Sequence, residues 1–175
     1  MSDDRTEQKR LGMTMQALAW VVLMALLAVW FNDVLERRHN PNRVLETRFA
    51  EDGIREVVLQ RNRAGHYVTS GKINGEPVVF MLDTGATGVA IPEDIARRLN
   101  LQRGRAYRTQ TANGVAISYA TSLDRVSVGE IALGNVSAGI VPGLQTSEIL
   151  LGMSSLKHIE FTQRGDQLIL RQYPG

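Results

Sequence analysis

The chain has 175 residues, room for one domain of ordinary size plus an appendage. Its formal net charge is only +2 and its charges are scattered rather than blocked, which with no RNA- or DNA-reading motif argues against a nucleic-acid partner. There is no cysteine, so disulfides, thiolate catalysis and cysteine zinc sites are excluded.

Met1 to Arg10 reads as a polar tail. Leu11 to Phe31 carries no charged residue and is continuously apolar from Ala17 onward. Those 21 residues, at about 1.5 Å each, span roughly 31 Å as a helix, the thickness of a bilayer's hydrocarbon core. Trp30 and Phe31 sit where an interfacial aromatic belt would lie. A cleaved signal peptide is the rival reading, but Ala28-Val29-Trp30 lacks the small final residue that cleavage wants. An uncleaved membrane anchor over residues 11–31 is therefore expected. Arg5, Lys9 and Arg10 precede the span and Arg37, Arg38, Arg43 and Arg48 follow it, so the positive-inside rule does not choose a side.

Residues 32–53 are charged, contain Asn40-Pro41-Asn42 and show no sustained periodicity, which predicts a tether. The globular domain is expected over 54–175, and its punctuation is all-β. Strands are predicted at Glu56–Arg61, Tyr67–Ile73 and Glu76–Leu82, the last two joined by Asn74-Gly75, a strong hairpin signal. Pro92-Glu93-Asp94 should open a helix with Pro at its first position, Ile95, Ala96 and Leu99 as its apolar stripe, and an end near Asn100. A second Asn-Gly hairpin, at Asn113-Gly114, should join Tyr107–Thr111 to Val115–Tyr119. Strands at Arg125–Val128, Ile131–Leu133, Val136–Val141 and Ile149–Leu151 follow, then a helical turn from Ser154 to about His158. Ile159–Gln163 and Gln167–Leu170 close the chain around Arg164-Gly165-Asp166. Many short strands at close spacing predict a small closed barrel with one or two short helices.

One segment of this pattern carries chemistry. Asp83-Thr84-Gly85-Ala86 closes the unbroken apolar run Val78-Val79-Phe80-Met81-Leu82 and precedes Val89-Ala90-Ile91. A carboxylate delivered by a buried strand is costly unless the fold hydrogen-bonds or pairs it. Gly85 lets the chain turn sharply and bring backbone N–H groups to that carboxylate. For a bare tripeptide, a tight turn with a capping Asp would be the simpler explanation. The strand before it, Ala86-Thr87 after it and Leu150-Leu151-Gly152 downstream point instead to the half-site of an aspartic protease. No other aspartate is followed by Thr-Gly or Ser-Gly, so a second carboxylate would have to come from a second chain.

With Ile73-Asn74-Gly75, Asp83-Thr84-Gly85-Ala86-Thr87, Thr111-Ala112-Asn113-Gly114 and Leu150-Leu151-Gly152-Met153, the chain resembles the retropepsins. These are the retroviral-type aspartic proteases, and the nearest likeness is to their bacterial membrane-anchored relatives. The resemblance covers roughly Glu56 to Arg171. It implies that Asp83 is the catalytic aspartate, that Thr84 hydrogen-bonds across a dimer axis, and that Gly85 and Ala86 complete the active-site loop. Thr111, Ala112, Asn113 and Gly114 would form a flap over substrate, and Leu150, Leu151 and Gly152 a strand packed beside the loop. It further implies an endopeptidase acting on a peptide or protein as a homodimer, without metal or cofactor, its domain in a bacterial periplasm. One departure stands out: the retroviral enzymes interleave both chain termini in the dimer, whereas here the N-terminal side leads into the apolar span. The C-terminal strand Gln167–Leu170 remains available to contribute. The alternative is a membrane-tethered, non-catalytic β-barrel that binds or senses a peptide or protein partner.

Three other features carry no chemistry. Gly65 and Gly71-Lys72 miss the P-loop spacing, and Ile73 replaces its Ser/Thr. His39, His66 and His158 are scattered and match no metal-ligand pattern, which leaves them structural or surface roles. Ser137 has no Gly two residues before it and so no nucleophile elbow.

Overall fold

The structure, a computed structural model, describes residues 3–111 and 114–174. It divides after Arg38 into two compact units.

The first unit is helical. Helix α1 (Asp3–His39) contains one stretch, Gly12–His39, long and apolar enough to cross a membrane. Leu18, Val21, Leu26 and Trp30 are exposed along it, as lipid-facing residues would be. The helix does not stop with the apolar run at Phe31. Arg37 pairs with Asp33 one turn back at 2.8 Å, and Asn32 donates to Glu36 at 3.2 Å, so the polar continuation supports itself by i,i+4 contacts.

The second unit is β-rich. Its elements are β1 (Thr47–Phe49), β2 (Arg55–Gln60), β3 (Tyr67–Ile73), β4 (Glu76–Leu82), β5 (Val89–Pro92), α2 (Glu93–Arg98), β6 (Ala106–Thr111), β7 (Gly114–Val128), β8 (Ile131–Val141), β9 (Ile149–Leu151), α3 (Met153–Leu156), β10 (Glu160–Arg164) and β11 (Gln167–Gln172). The all-β class holds, but the expected simple closed barrel is replaced by two sheets. One is four-stranded, β1-β2-β11-β10; the other is seven-stranded, β3-β4-β9-β5-β8-β7-β6. The larger sheet bends back on itself through two residue pairs only, Lys72↔Ser127 and Ile73↔Val126, leaving β6 outside the ring. One core joins both sheets: Val57, Leu59, Leu168 and Leu170 from the smaller pack with Phe80, Leu123, Ile140 and Ile149 from the larger.

Hairpin chemistry places the strands. Asn74 and Gly75 both take positive φ, 52° and 91°, as a two-residue turn with the twist of flanking strands requires. Ile73 then faces Glu76 and the whole β3–β4 register follows. Pro92 ends β5 and serves as the N-cap of α2 rather than its first residue; its ψ of 144° is extended. The helix stops at Arg98 and Asn100 takes φ 52°. Two pairs of predicted strands are fused. Val115–Tyr119 and Arg125–Val128 belong to the 15-residue β7, and Ile131–Leu133 and Val136–Val141 to the 11-residue β8. The two strands keep one register on either side of Asn135, whose φ is 51°. The predicted turn from Ser154 is the four-residue α3, beginning at Met153. β11 has β2 on one side and β10 on the other, so neither edge is left for a second chain.

Part of the stretch read as a tether is built into the folded unit. After the helical residues to His39, Asn42 is buried, 3% exposed. Its Nδ2 donates to the carbonyl of Gln60 at 2.9 Å and of Val68 at 2.7 Å, and its Oδ1 accepts from Gln60 N–H at 2.6 Å. Gln60 lies in β2 and Val68 in β3, so this one amide bridges the two sheets. Asn62 works beside it, donating to the His39 carbonyl at 2.9 Å while its Oδ1 accepts from the N–H groups of Ala64 and His66. Charge and an Asn-Pro-Asn run mimic a solvated linker; a buried side-chain amide has no periodicity to betray it. Asn42→Ala should therefore lower the stability of the folded unit by about 1–3 kcal/mol, the cost of leaving buried partners unsatisfied. Urea denaturation checks this, since a change within about 0.5 kcal/mol is what a surface tether would give.

Candidate active site

β4 delivers Asp83. Val78, Phe80 and Leu82 are buried while Val79 and Met81 are half-buried, so the apolar run has one face in the core rather than being wholly enclosed. Asp83 is half-buried, and Thr84 and Gly85 are exposed at the turn that follows. The Gly85 N–H donates to Asp83 Oδ1 at 2.8 Å, and the Ala86 N–H to the Asp83 carbonyl at 3.2 Å. A side chain at Gly85 would press a Cβ to 3.2 Å from that carboxylate oxygen, so the glycine keeps the approach open.

The loop is laced to the segment after β9. β4 and β9 run parallel, with Leu82 beside Leu151. The Asp83 N–H donates to the Leu151 carbonyl at 3.2 Å, Met153 N–H to the Ala86 carbonyl at 2.9 Å, and Ser154 N–H to the Thr87 carbonyl at 2.9 Å. At the centre, a Cβ on Gly152 would collide with the carbonyl oxygens of both Gly88 and Ala86. Thus Asp83 and Ala86 are held against Leu151 and Gly152, Leu150 pairs with Met81 and Ala90 beside them, and Thr84 and Gly85 stay exposed.

The second predicted hairpin is present. β6 and β7 pair from Ala106↔Tyr119 to Thr111↔Gly114, while Ala112 and Asn113 lie outside the described residues. Val115 and Ile117 are exposed on it, 66% and 60%, and share one face of the strand. At its base the Arg103 guanidinium lies over the Tyr119 ring, 4.9 Å from the centroid, and also pairs with Glu93 at the start of α2. Two open hollows, about 460 and 540 Å³, lie elsewhere; Asp83 lines neither. Among the described residues no three His, Asp or Glu side chains gather as a metal would need.

A second carboxylate escaped the sequence reading. Glu148, 6% exposed, immediately precedes β9 and accepts hydrogen bonds from Thr146 Oγ1, Ser147 Oγ and His39 Nε2. Burial pushes its carboxyl up, but these three hydrogen bonds and the charge of His39 together outweigh burial and hold it below the usual carboxylate range. The signal was there to find: an acid directly before Ile149-Leu150-Leu151, with two hydroxyl residues ahead of it. His39 accordingly has a structural role, while His66 and His158 join no such cluster.

A parallel pair of strands laced around an Asp-Thr-Gly loop, with a long hairpin in the same sheet, defines a retropepsin-like aspartic protease fold. The family described as gag-polyprotein putative aspartyl protease matches residues 69–158. The chain belongs to that family of retropepsin-like proteases. It is similar to the crystal structure of a retropepsin-like aspartic protease from Rickettsia conorii, with a TM-score of 0.57 and 27% identity, covering 74% of this chain and 96% of that one. An uncharacterized protein encoded in the cobV 5' region of Sinorhizobium sp is 33% identical over 124 residues, 69% of this chain and 53% of that protein. An uncharacterized protein of Rickettsia prowazekii (strain Madrid E) is 24% identical over 166 residues, 90% of this chain and 71% of that protein. The chain thus spans only about half the length of the Sinorhizobium relative.

Two outcomes test this architecture. Gly152→Ala should cost about 1–3 kcal/mol in urea denaturation, because only backbone oxygens stand in the way and they cannot swing aside. Gly134→Ala should change little, its nearest neighbour being 3.7 Å away in ordinary contact. For Glu148, a lowered folded-state pKa means the carboxylate stabilises above the unfolded carboxyl range, and that stability is lost as pH falls through the folded value. The stability gap between the parent and Glu148→Gln should therefore be widest near neutral pH and shrink on acidification. A gap that does not vary between pH of about 3 and 7 would contradict the assignment.

Proposed function

We propose that the protein is a membrane-anchored aspartic endopeptidase, active as a homodimer with one Asp83 from each copy. The observation that carries this reading is the Asp83 loop: a half-buried carboxylate held by the Gly85 N–H at 2.8 Å and fixed from behind by the Leu151–Ser154 backbone. Family membership and the Rickettsia conorii neighbour support it. The substrate is a peptide or protein, and the chemistry needs no metal or cofactor.

Two carboxyl groups at one axis share a single proton, because like charges that close cannot both ionise. The ionised Asp83 takes a proton from water as the oxygen attacks the scissile carbonyl. The protonated Asp83 donates to the developing oxyanion. Collapse of the tetrahedral intermediate breaks the C–N bond and sends a proton to the leaving amine, restoring the pair. Thr84, exposed in one chain, would reach the opposite loop, and Gly85 would let substrate backbone approach. The β6–β7 hairpin would close over the substrate with Val115 and Ile117 and exclude water. α1 holds the second unit at a membrane, on the periplasmic side of a bacterial cell, and confinement there raises the effective concentration of the partner copy.

Asp83→Asn tests the reading. Asn keeps the shape but cannot accept a proton from water, so peptide hydrolysis should fall by at least about a hundredfold, the low end of what general acid–base catalysis supplies. The denaturation midpoint should stay near the parent's. Retained hydrolysis would remove Asp83 from the mechanism; absence of peptide hydrolysis in the dimeric parent would favour a binding module.

A further inference from the structure

The larger sheet has a second face that the core does not claim. Met81 pairs with Leu150, Leu150 with Ala90 and Ala90 with Gly139, so these residues form one row across β4, β9, β5 and β8. Their chain neighbours Leu82, Leu151, Ile91 and Ile140 turn into the core, whereas Met81, Leu150 and Ala90 stay half-buried. Asp83 lies two residues past Met81, and its N–H still bonds the Leu151 carbonyl, so its carboxylate belongs to this second face. Three interstrand steps of about 4.8 Å separate the β4 end of the row from Gly139, a span that an extended peptide of about four residues covers.

Tyr107 closes the row at its far end. It reaches across from β6, and its hydroxyl stands where a Cβ on Gly139 would be, so the glycine is what leaves it room. Tyr107 is 43% exposed, and its hydroxyl has no hydrogen-bond partner among the described residues. Ser118, directly opposite Tyr107 on β7, is fully buried with its Oγ unpartnered. The Oγ1 of Thr109, two residues along β6 on the same side, is also buried and unpartnered. Buried hydroxyls without partners are uncommon in folded proteins, and a group of them marks a place made for a polar guest. Charge is scarce along the row. Glu148, two residues before Leu150, is already satisfied by Thr146, Ser147 and His39, and Arg105, opposite Ala120, is exposed to solvent.

We propose that Tyr107 is a specificity-determining residue of the Asp83 site, its phenol the polar end of a subsite floored by Leu150 and Ala90. This role rests on Asp83 serving an endopeptidase. The substrate side chain that fits is a neutral carboxamide, that of glutamine, a few residues from the cut bond. Its apolar stem lies on Leu150 and Ala90, and its amide exchanges hydrogen bonds with the Tyr107 hydroxyl. An apolar side chain would strip water from the phenol and return nothing, which is how a site built for hydrogen bonding rejects an analogue that lacks them. A carboxylate would give up its water to uncharged hydroxyls, and an exposed arginine returns little of that cost.

The full chain, reconstituted in nanodiscs, is incubated with a proteome-derived peptide mixture, and the cut sites are read by mass spectrometry. Glutamine should be enriched over leucine at one position within roughly five residues of the cut bond. Tyr107→Phe removes only the hydroxyl. Gly139→Ala keeps the hydroxyl but displaces it, and the ring it displaces is the far end of a side chain that can swing. Each substitution should lower the glutamine-to-leucine ratio roughly three- to tenfold, and should either variant fold poorly the other carries the test. A ratio unchanged in both variants would overturn the proposal. So would a parent that cuts peptides without preferring glutamine, or one that prefers glutamate there, which would assign the selectivity to Arg105. A parent that cuts no peptide in the mixture would instead remove the endopeptidase reading on which the role of Tyr107 rests.

Discussion

The backbone contact between the Asp83 loop and the segment after β9 is the constraint on which the rest depends. Three N–H groups, those of Asp83, Met153 and Ser154, are satisfied only because two chain segments far apart in sequence approach without a side chain between them. Gly152 makes that possible and Gly85 keeps the exposed side clear. A carboxylate on a loose turn would swing with thermal motion. Here its turn is hydrogen-bonded within itself and from behind, and pre-organisation of that kind is what positioned acid–base chemistry requires.

The larger sheet exists to bring those segments together. β4 and β9 run parallel, which no hairpin can arrange, so the chain travels out through β5, α2 and the long β7–β8 pair before returning as β9. That excursion yields the β6–β7 hairpin and fills the core with Leu123, Ile140 and Ile149. Glu148 sits at the point of return, and its three hydrogen bonds satisfy a buried charge one residue before β9 begins. The smaller sheet completes the core from the other side, and Asn42 ties the two where no strand pairing does.

What could be read in the sequence was what short-range physics controls. Asn74-Gly75 demands positive φ at both positions, and the β3 and β4 boundaries follow to the residue. Asp83-Thr84-Gly85 stood out because an acid after an apolar strand needs a reason. The strands β7 and β8 were read in pieces, broken at residues 120–124 and at Gly134-Asn135, yet Leu123 faces Val136 and Arg125 faces Gly134 in a single register. Local composition carries a turn signal, but the cross-strand partner that overrides it lies outside any short window. Asn42 was invisible for a related reason, since its partners come from β2 and β3, whereas Glu148 left a local trace in Thr146 and Ser147 and only its His39 partner is distant in sequence.

The same distinction bears on how two copies would meet. From sequence the C-terminal strand looked available to a partner, because the retroviral enzymes that the chain resembles interleave their termini in the dimer. In the folded unit it is the most committed strand of its sheet: Leu168, Ile169 and Leu170 are buried and both its edges are paired within the chain. In the proposed homodimer a second Asp83 would have to arrive without withdrawing β11. Withdrawing it would expose Leu168 and Leu170 and unpair β2 and β10 together. The Thr84-Gly85 turn is exposed, as are Val115 and Ile117 on the β6–β7 hairpin. If the proposed homodimer forms, pairing through the Asp83 face rather than through shared terminal strands would leave the core of each copy intact.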